Sequence, residues 1–325
     1  VRMFARDMLE GLGWLSRVNQ VHRDIKPRNL LLDKRGKLLL ADFGLVREMG
    51  RDASSVHSGE AGTMGWMATE VLASFGSGDQ GRWKAKSDVQ VAGMVIFYML
   101  TGGRHPFGDN AIATQFHILQ GKPANLHLVA DKPLAHDLIE WMLTSDVDRR
   151  PSAYEALHTH PYFWTLPDGR LDAERCANFI AKIAMTAPCR NPLNFPEWLV
   201  LERDGCRDLF APSGDWAVAG ALNSRIVASK QKFQAHKQVE GGKEYRTTSI
   251  CDFLRLIRNI LMHHTPEDRA AMGKERSVAE YIASRPWYPG LVANIYKVVR
   301  TSELQNNPDL ASFCRAAPAL ATQKK

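Results

Sequence analysis

The sequence predicts a mainly α-helical chain of two domains, with one short β-hairpin in the first. Three observations carry this expectation. Apolar residues recur at the three- and four-residue spacing of amphipathic helices in both halves of the chain. The one clear strand pair, Leu30 to Leu32 and Leu38 to Leu40, flanks a glycine-containing turn at Lys34-Arg35-Gly36. A stop-and-turn cluster, His160-Pro161-Tyr162-Phe163-Trp164 followed by Pro167-Asp168-Gly169, falls near the middle. With 325 residues, 45% of them hydrophobic, the chain can bury two cores rather than one.

Val1 to Ser16 sets Phe4, Met8, Leu9, Leu12 and Leu15 on one face, so the chain begins inside a helix. The hairpin follows. Ser87 and Asp88 stand as helix-start residues before the apolar segment Val89 to Leu100, and Leu138, Ile139, Met142 and Leu143 repeat the helical period. The second domain is expected from about Leu166, with helices over Leu171 to Met185 and, most clearly, Ser249 to Met262. In the latter Ser249 caps the first turn, and Asp252 three residues on completes a capping-box pattern. Ile250, Phe253, Leu254, Ile257 and Leu261 supply its apolar face. Ala316 to Lys325 is small and polar, the composition of a frayed end.

Composition narrows the possibilities further. The longest apolar run, Val91 to Leu100 with Val89 just before it, falls short of the roughly 18 residues a membrane span requires and is expected as a buried core helix. No basic segment followed by an apolar stretch opens the chain and residue 1 is valine, so a fragment of a longer protein is expected. Cys176, Cys189, Cys206, Cys251 and Cys314 are odd in number and never form a C-x-x-C pair, which points to a reducing compartment without structural zinc. The net charge of +7 is modest. Arg225, Lys230, Lys232, Lys237, Lys243 and Arg246 nevertheless face only Glu240 and Glu244, an excess that could attract a polyanion or simply form a solvated face.

His22-Arg23-Asp24-Ile25-Lys26-Pro27-Arg28-Asn29 gathers three chemistry-bearing groups on one short loop. Asp24 can accept a substrate hydroxyl's proton, Lys26 can steady a transferring phosphoryl group, and Asn29 can hold a metal ion. Asp42-Phe43-Gly44 follows the hairpin, where Asp42 would hold Mg²⁺ against nucleotide phosphates. These motifs, with Gly62-Thr63 and Ala68-Thr69-Glu70, resemble the C-terminal lobe of the eukaryotic protein kinases from about Val1 through Trp164. Thr69 departs from that pattern, which has proline there. The resemblance implies that Glu70 pairs with Arg150, that Asp88 orients the catalytic loop, and that Lys26 marks the serine/threonine branch. It makes Ser54, Ser55, Ser58 and Thr63 activation-segment residues, with Ser54, Ser55 and Ser58 as phosphorylation candidates whose phosphate would pair with Arg23. The glycine-rich loop, strand lysine and helix glutamate of a complete kinase nucleotide site are not among these 325 residues.

A second constellation lies in Arg258-Asn259-Ile260-Leu261-Met262-His263-His264. On a helix from Ser249, Arg255, Asn259 and His263 recur every four residues and share a face, with Arg258 beside it. Such a cluster could cleave RNA without metal: one group activates the ribose 2'-hydroxyl, a cation stabilises the phosphorane, and an imidazole protonates the leaving oxygen. A kinase lobe running into a helical module with this helix resembles the inositol-requiring kinase/endoribonucleases of the unfolded-protein response. That resemblance assigns the nuclease roles to Tyr245, Arg258, Asn259 and His263, with His263 as general acid, Tyr245 as base or its helper, and Arg258 and Asn259 on the phosphate. His264 is the nearest rival of His263.

The expectation is therefore a mainly α chain: a protein-kinase-like C-terminal lobe over residues 1–165, an all-helical ribonuclease module of KEN type over 166–312, and a flexible tail over 313–325. The resemblance further implies ATP and Mg²⁺ for the kinase lobe, with Asn29 and Asp42 on the metal and Lys26 on the nucleotide. No cofactor is implied for the ribonuclease. Implied partners are an RNA stem-loop, ATP or ADP and a second copy of the chain in a homodimer or higher oligomer. The implied location is the cytosolic face of the endoplasmic reticulum membrane, anchored by an upstream segment. The alternative is a signalling kinase, or a pseudokinase, whose helical module only dimerises or docks.

Overall fold

The computed structural model describes residues 1–49, 56–58, 62–74, 81–190, 194–211, 213–217, 219–238, 245–273 and 277–315. They fall into two compact units, the first running Val1–Phe163 and the second beginning at Trp164.

The first unit is built on α1 (Arg2–Arg17), which buries Ala5, Met8, Leu9, Leu12 and Leu15 as one stripe, with Phe4 half-buried at its margin. Three two-stranded antiparallel sheets follow among the described residues: β1 (Gln20–Val21) with β4 (Arg47–Glu48), β2 (Leu30–Leu32) with β3 (Leu38–Leu40), and β5 (Val56–Ser58) with β6 (Gly81–Trp83). The β2–β3 pair is the expected hairpin, in the register Leu30 to Leu40, Leu31 to Leu39 and Leu32 to Leu38. Gly36 takes φ +78° in its turn, a conformation that favours glycine.

α2 (Thr69–Ser74) leads to α3 (Ala85–Leu100), which is buried on nearly all sides, as its apolar run from Val91 requires. Its start differs from expectation. The helix opens at Ala85, and Ser87 is its third residue, whose hydroxyl accepts from the Lys84 nitrogen at 3.0 Å; Asp88 lies inside the first turn, where its carboxylate has other partners. α4 (Ala111–Gln120), α5 (Pro133–Met142) and α6 (Ala153–Thr159) complete the unit. α3 packs on α1 and α5, and α1 on α6.

The second unit has helices as its regular elements among the described residues: α7 (Ala173–Ile183), α8 (Ala187–Arg190), α9 (Pro196–Leu209), α10 (Ser224–Gln238), α11 (Ile250–Met262), α12 (Pro266–Met272), α13 (Val278–Ala283), α14 (Tyr288–Thr301) and α15 (Ala311–Cys314). α7 is shorter than Leu171 to Met185, because Asp172 caps it by accepting from the Arg175 nitrogen and Leu171 pairs instead with Thr165. Trp164, Phe179, Tyr296 and Phe313 form one aromatic cluster, with Phe313 5.4 Å from Trp164 and 5.3 Å from Phe179. Phe313 is thus a core residue and not the first residue of a tail; residues 316–325 lie outside the described set. α11 is the hub of the unit, packed on α7, α9, α10 and α13. Cys176, Cys189 and Cys251 are buried here as free thiols, and Cys189 Sγ donates to the Cys251 carbonyl at 3.7 Å. Among the described residues no helix is long and apolar enough to cross a membrane.

Candidate active sites

The His22–Asn29 loop is built on strained backbone held from below. Arg23 adopts φ +69°, unusual for a side chain of its size. Asp88 fixes that conformation from α3: its two carboxylate oxygens accept from the His22 nitrogen at 2.7 Å and the Arg23 nitrogen at 3.0 Å. Arg23 Nε donates to the Leu45 carbonyl at 2.6 Å, tying the loop to the segment after Asp42. Burial pushes the Asp88 carboxyl up to about 6, against the pull of these backbone donors. His22 is fully buried and packs on Phe43 at 5.2 Å between ring centres. Burial lowers its pKa, opposed by the nearby carboxylates of Asp24 and Asp42.

Asp24, Lys26 and Asn29 meet in one hydrogen-bonded group. Lys26 Nζ reaches Asp24 Oδ2 at 2.7 Å, and Asn29 Nδ2 donates to the same oxygen at 2.8 Å and to the Asp24 carbonyl at 2.8 Å. Thr63, read from the sequence only as an activation-segment residue, is the fourth member: its hydroxyl donates to Asp24 Oδ1 at 2.7 Å and accepts from Lys26 Nζ at 2.8 Å. Burial acts to raise the Asp24 pKa, but the hydrogen bonds from Lys26, Thr63 and Asn29 outweigh it and hold the carboxylate ionised below its ordinary range. Because Asn29 spends its amide nitrogen on Asp24, its carbonyl oxygen is the atom it can offer a cation. The Ala41 nitrogen donates to the backbone carbonyl of Asn29 at 2.9 Å, so Asp42 follows the residue paired with Asn29 at one end of the hairpin. Asp42 is exposed and takes φ +63°. Ser54 and Ser55 lie outside the described residues, and Ser58 is placed only as the last residue of β5.

The implied structural pair is present. Arg150 NH1 and NH2 each donate to one oxygen of Glu70 at 3.0 Å, a bidentate clamp, and the remaining guanidinium donors go to the carbonyls of Lys86, Thr144 and Ser145.

In the second unit α11 carries the other constellation. Ser249 caps it by accepting from the Asp252 nitrogen at 3.0 Å, but the reciprocal bond of a capping box is not made. Asp252 turns its carboxylate to Arg246, whose backbone nitrogen and Nε donate at 2.8 Å and 3.0 Å, and to the Arg255 guanidinium. Those bonds anchor the strand of chain that presents Tyr245. The Tyr245 hydroxyl is buried against α11, where Asn259 Nδ2 donates to it, and Arg258 donates to Asn259 Oδ1 at 2.9 Å. Burial raises the Tyr245 pKa, with the Asn259 hydrogen bond pulling the other way.

His263 lies just past the helix that carries Asn259. α11 ends at Met262, and His263 is its cap, with φ −138° and ψ 42°, exposed and tied back by its nitrogen to the Asn259 carbonyl at 3.0 Å. His264 is exposed beside it. The basic excess is also smaller than the sequence suggested: Lys230 is buried and paired with Asp268 at 2.6 Å, and Arg246 pairs with Asp252 and Glu202.

Residues 1–163 match the protein kinase domain, and residues 205–314 match the ribonuclease 2-5A family. The serine/threonine-protein kinase/endoribonuclease IRE2 of Homo sapiens is 31% identical over 310 residues, covering 91% of this chain and 30% of that protein. The chain belongs to the kinase/endoribonuclease family. Other kinase/endoribonuclease relatives include IRE1a of Arabidopsis thaliana, 33% identical over 90% of this chain and 32% of its own length. The chain is also similar to the sensor for unfolded proteins in the ER ire1 of Schizosaccharomyces pombe, 27% identical over 89% of this chain and 28% of its own length. The chain spans about a third of the length of these curated relatives.

Proposed function

We propose that this chain is the kinase-lobe and endoribonuclease portion of an unfolded-protein sensor that cleaves RNA stem-loops by metal-free acid and base chemistry after kinase-mediated dimerisation. The observation that carries this reading is the hydrogen-bonded row of Tyr245, Asn259 and Arg258 with His263 one turn beyond. Arg258 and Asn259 bind the scissile phosphate and stabilise its added charge. As the ribose 2'-oxygen gives its proton to solvent water and bonds to phosphorus, the bond from phosphorus to the 5'-oxygen breaks and that oxygen leaves with a proton from His263, giving a 2',3'-cyclic phosphate. Tyr245 takes the helper's role named for it. Burial favours its neutral form, which orients Asn259 and the attacking hydroxyl.

In the kinase lobe Asp24 is the base for a serine or threonine hydroxyl, Lys26 steadies the phosphoryl group, and the oxygens of Asn29 and Asp42 suit a hard cation such as Mg²⁺. When bound, ATP and Mg²⁺ would supply the phosphoryl group and neutralise its charge. The kinase lobe spans residues 1–165, with the ribonuclease module from 166 through the α15 core. The relatives' endoplasmic reticulum setting supports a cytosolic, membrane-anchored parent protein.

A hairpin RNA incubated with the chain, with His263→Ala and with Tyr245→Phe tests the nuclease assignment. His263→Ala should lose roughly 10²- to 10⁴-fold in rate. Equal cleavage by all three proteins would refute it.

A further inference from the structure

A group that must deliver a proton depends on where its main chain is held, and for His263 that is the end of a helix. That residue is exposed, lies past the end of α11, and joins α12 through only His264 and Thr265. A third element reaches it. Lys230, on α10, donates from Nζ to the His263 carbonyl at 2.5 Å and to Asp268 Oδ2 at 2.6 Å. Asp268 is fixed in turn in the first turn of α12: its carboxylate accepts from the Thr265 nitrogen at 2.9 Å, and its own nitrogen donates to Thr265 Oγ1 at 3.1 Å. The side chains of Lys230 and Asp268 are 3% and 2% exposed.

We propose that Lys230, braced by Asp268, is a positioning residue for the nuclease reaction, holding the His263 main chain so that its imidazole meets the leaving oxygen. The inference rests on the nuclease reading above. Burying an ammonium and a carboxylate costs desolvation that a pair of apolar side chains would avoid, so packing alone gives no reason for the pair. Its third partner gives one, because the His263 carbonyl closes the α11 terminus, where a cation is favoured. The ammonium thereby clamps α10, the end of α11 and the start of α12 at a single atom. Burial acts to raise the Asp268 pKa, but the hydrogen bonds from Lys230, Thr265 and Ser229 hold it below the ordinary carboxylate range.

The test compares the 325-residue chain with Lys230→Met, Lys230→Met/Asp268→Asn and His263→Ala. Two hairpin RNAs are used, one natural and one with sulfur in place of the bridging 5'-oxygen at the cleavage site. A thiolate leaves without needing a proton, so the second RNA bypasses the general acid. Lys230→Met should lower kcat on the natural RNA by about 10- to 100-fold with little change in KM, and the deficit should vanish on the sulfur RNA, as it should for His263→Ala. The double variant leaves no buried charge unpaired and keeps the Thr265 contact, so it should melt near the parent chain while remaining slow on the natural RNA. A Lys230→Met rate equal to the parent's on natural RNA, an equal deficit on both RNAs, or full recovery in the double variant would each overturn the positioning role. No cleavage by the parent, or full activity in His263→Ala, would overturn the nuclease reading itself and the inference with it.

Discussion

Thr69 replaces a proline of the kinase pattern, and the exchange adds a backbone N–H and a hydroxyl that need partners. Gln90 supplies the first by accepting from the Thr69 nitrogen at 2.8 Å, and the Thr69 hydroxyl donates to the Ile118 carbonyl at 3.1 Å while accepting from Gln90 Nε2 at 3.0 Å. A departure from the motif is therefore fully satisfied locally. Thr63 matters more to the chemistry. Thr63→Val removes one of the hydrogen bonds that hold the Asp24 carboxylate ionised, so the Asp24 pKa should rise, as followed by carboxyl NMR titration; no upward shift would place Thr63 outside the site. His105 gives an acid-sensitivity of known sign. Burial lowers its pKa from 6.5 to about 4, so between those values the unfolded chain binds a proton that the folded chain does not, and stability falls as pH drops through the window. Urea unfolding at pH 7 and pH 5 should show about 2 kcal/mol lost from this group, and His105→Gln should remove that part of the difference. Asp24, Lys26 and Asn29 were legible in the sequence because they share one loop. Thr63 and Lys230 were not, since each meets its site only through tertiary packing from another element.

At the level of elements, periodicity placed α1 and α11, because a buried stripe leaves a repeat that no loop imitates, while the hairpin was marked by its glycine turn and α3 by its apolar run. The errors lie at helix ends, where side-chain hydrogen bonds decide the boundary. Asp252 had the spacing for a capping box, yet its carboxylate is taken by the guanidinium groups of Arg246 and Arg255, charged donors, and by the Arg246 backbone nitrogen rather than that of Ser249. His263 kept the four-residue spacing from Asn259, yet the helix stops one residue earlier. The remaining cap has a measurable weight. Ser249→Ala should destabilise the second unit by about 1 kcal/mol in denaturant titration, with Tyr245 loosened as α11 frays; an unchanged midpoint would show that the cap is redundant with the Asp252 contacts.

For the whole molecule, two units of comparable size each carry their own buried core, as the length and the central stop-and-turn cluster led one to expect. The proposed dimer makes a prediction at this scale. Cleavage per protomer should rise with protein concentration and then saturate, whereas a rate per protomer independent of concentration would leave each copy competent alone. The distribution of sulfur has a practical consequence as well. All five cysteines of the sequence stand at residue 176 or beyond, and Cys176, Cys189 and Cys251 are sealed in the interior of the second unit. A maleimide added to the native protein therefore keeps time for one half only: its slow uptake at those three positions counts openings of the helical module, and melting of the kinase lobe passes without a mark.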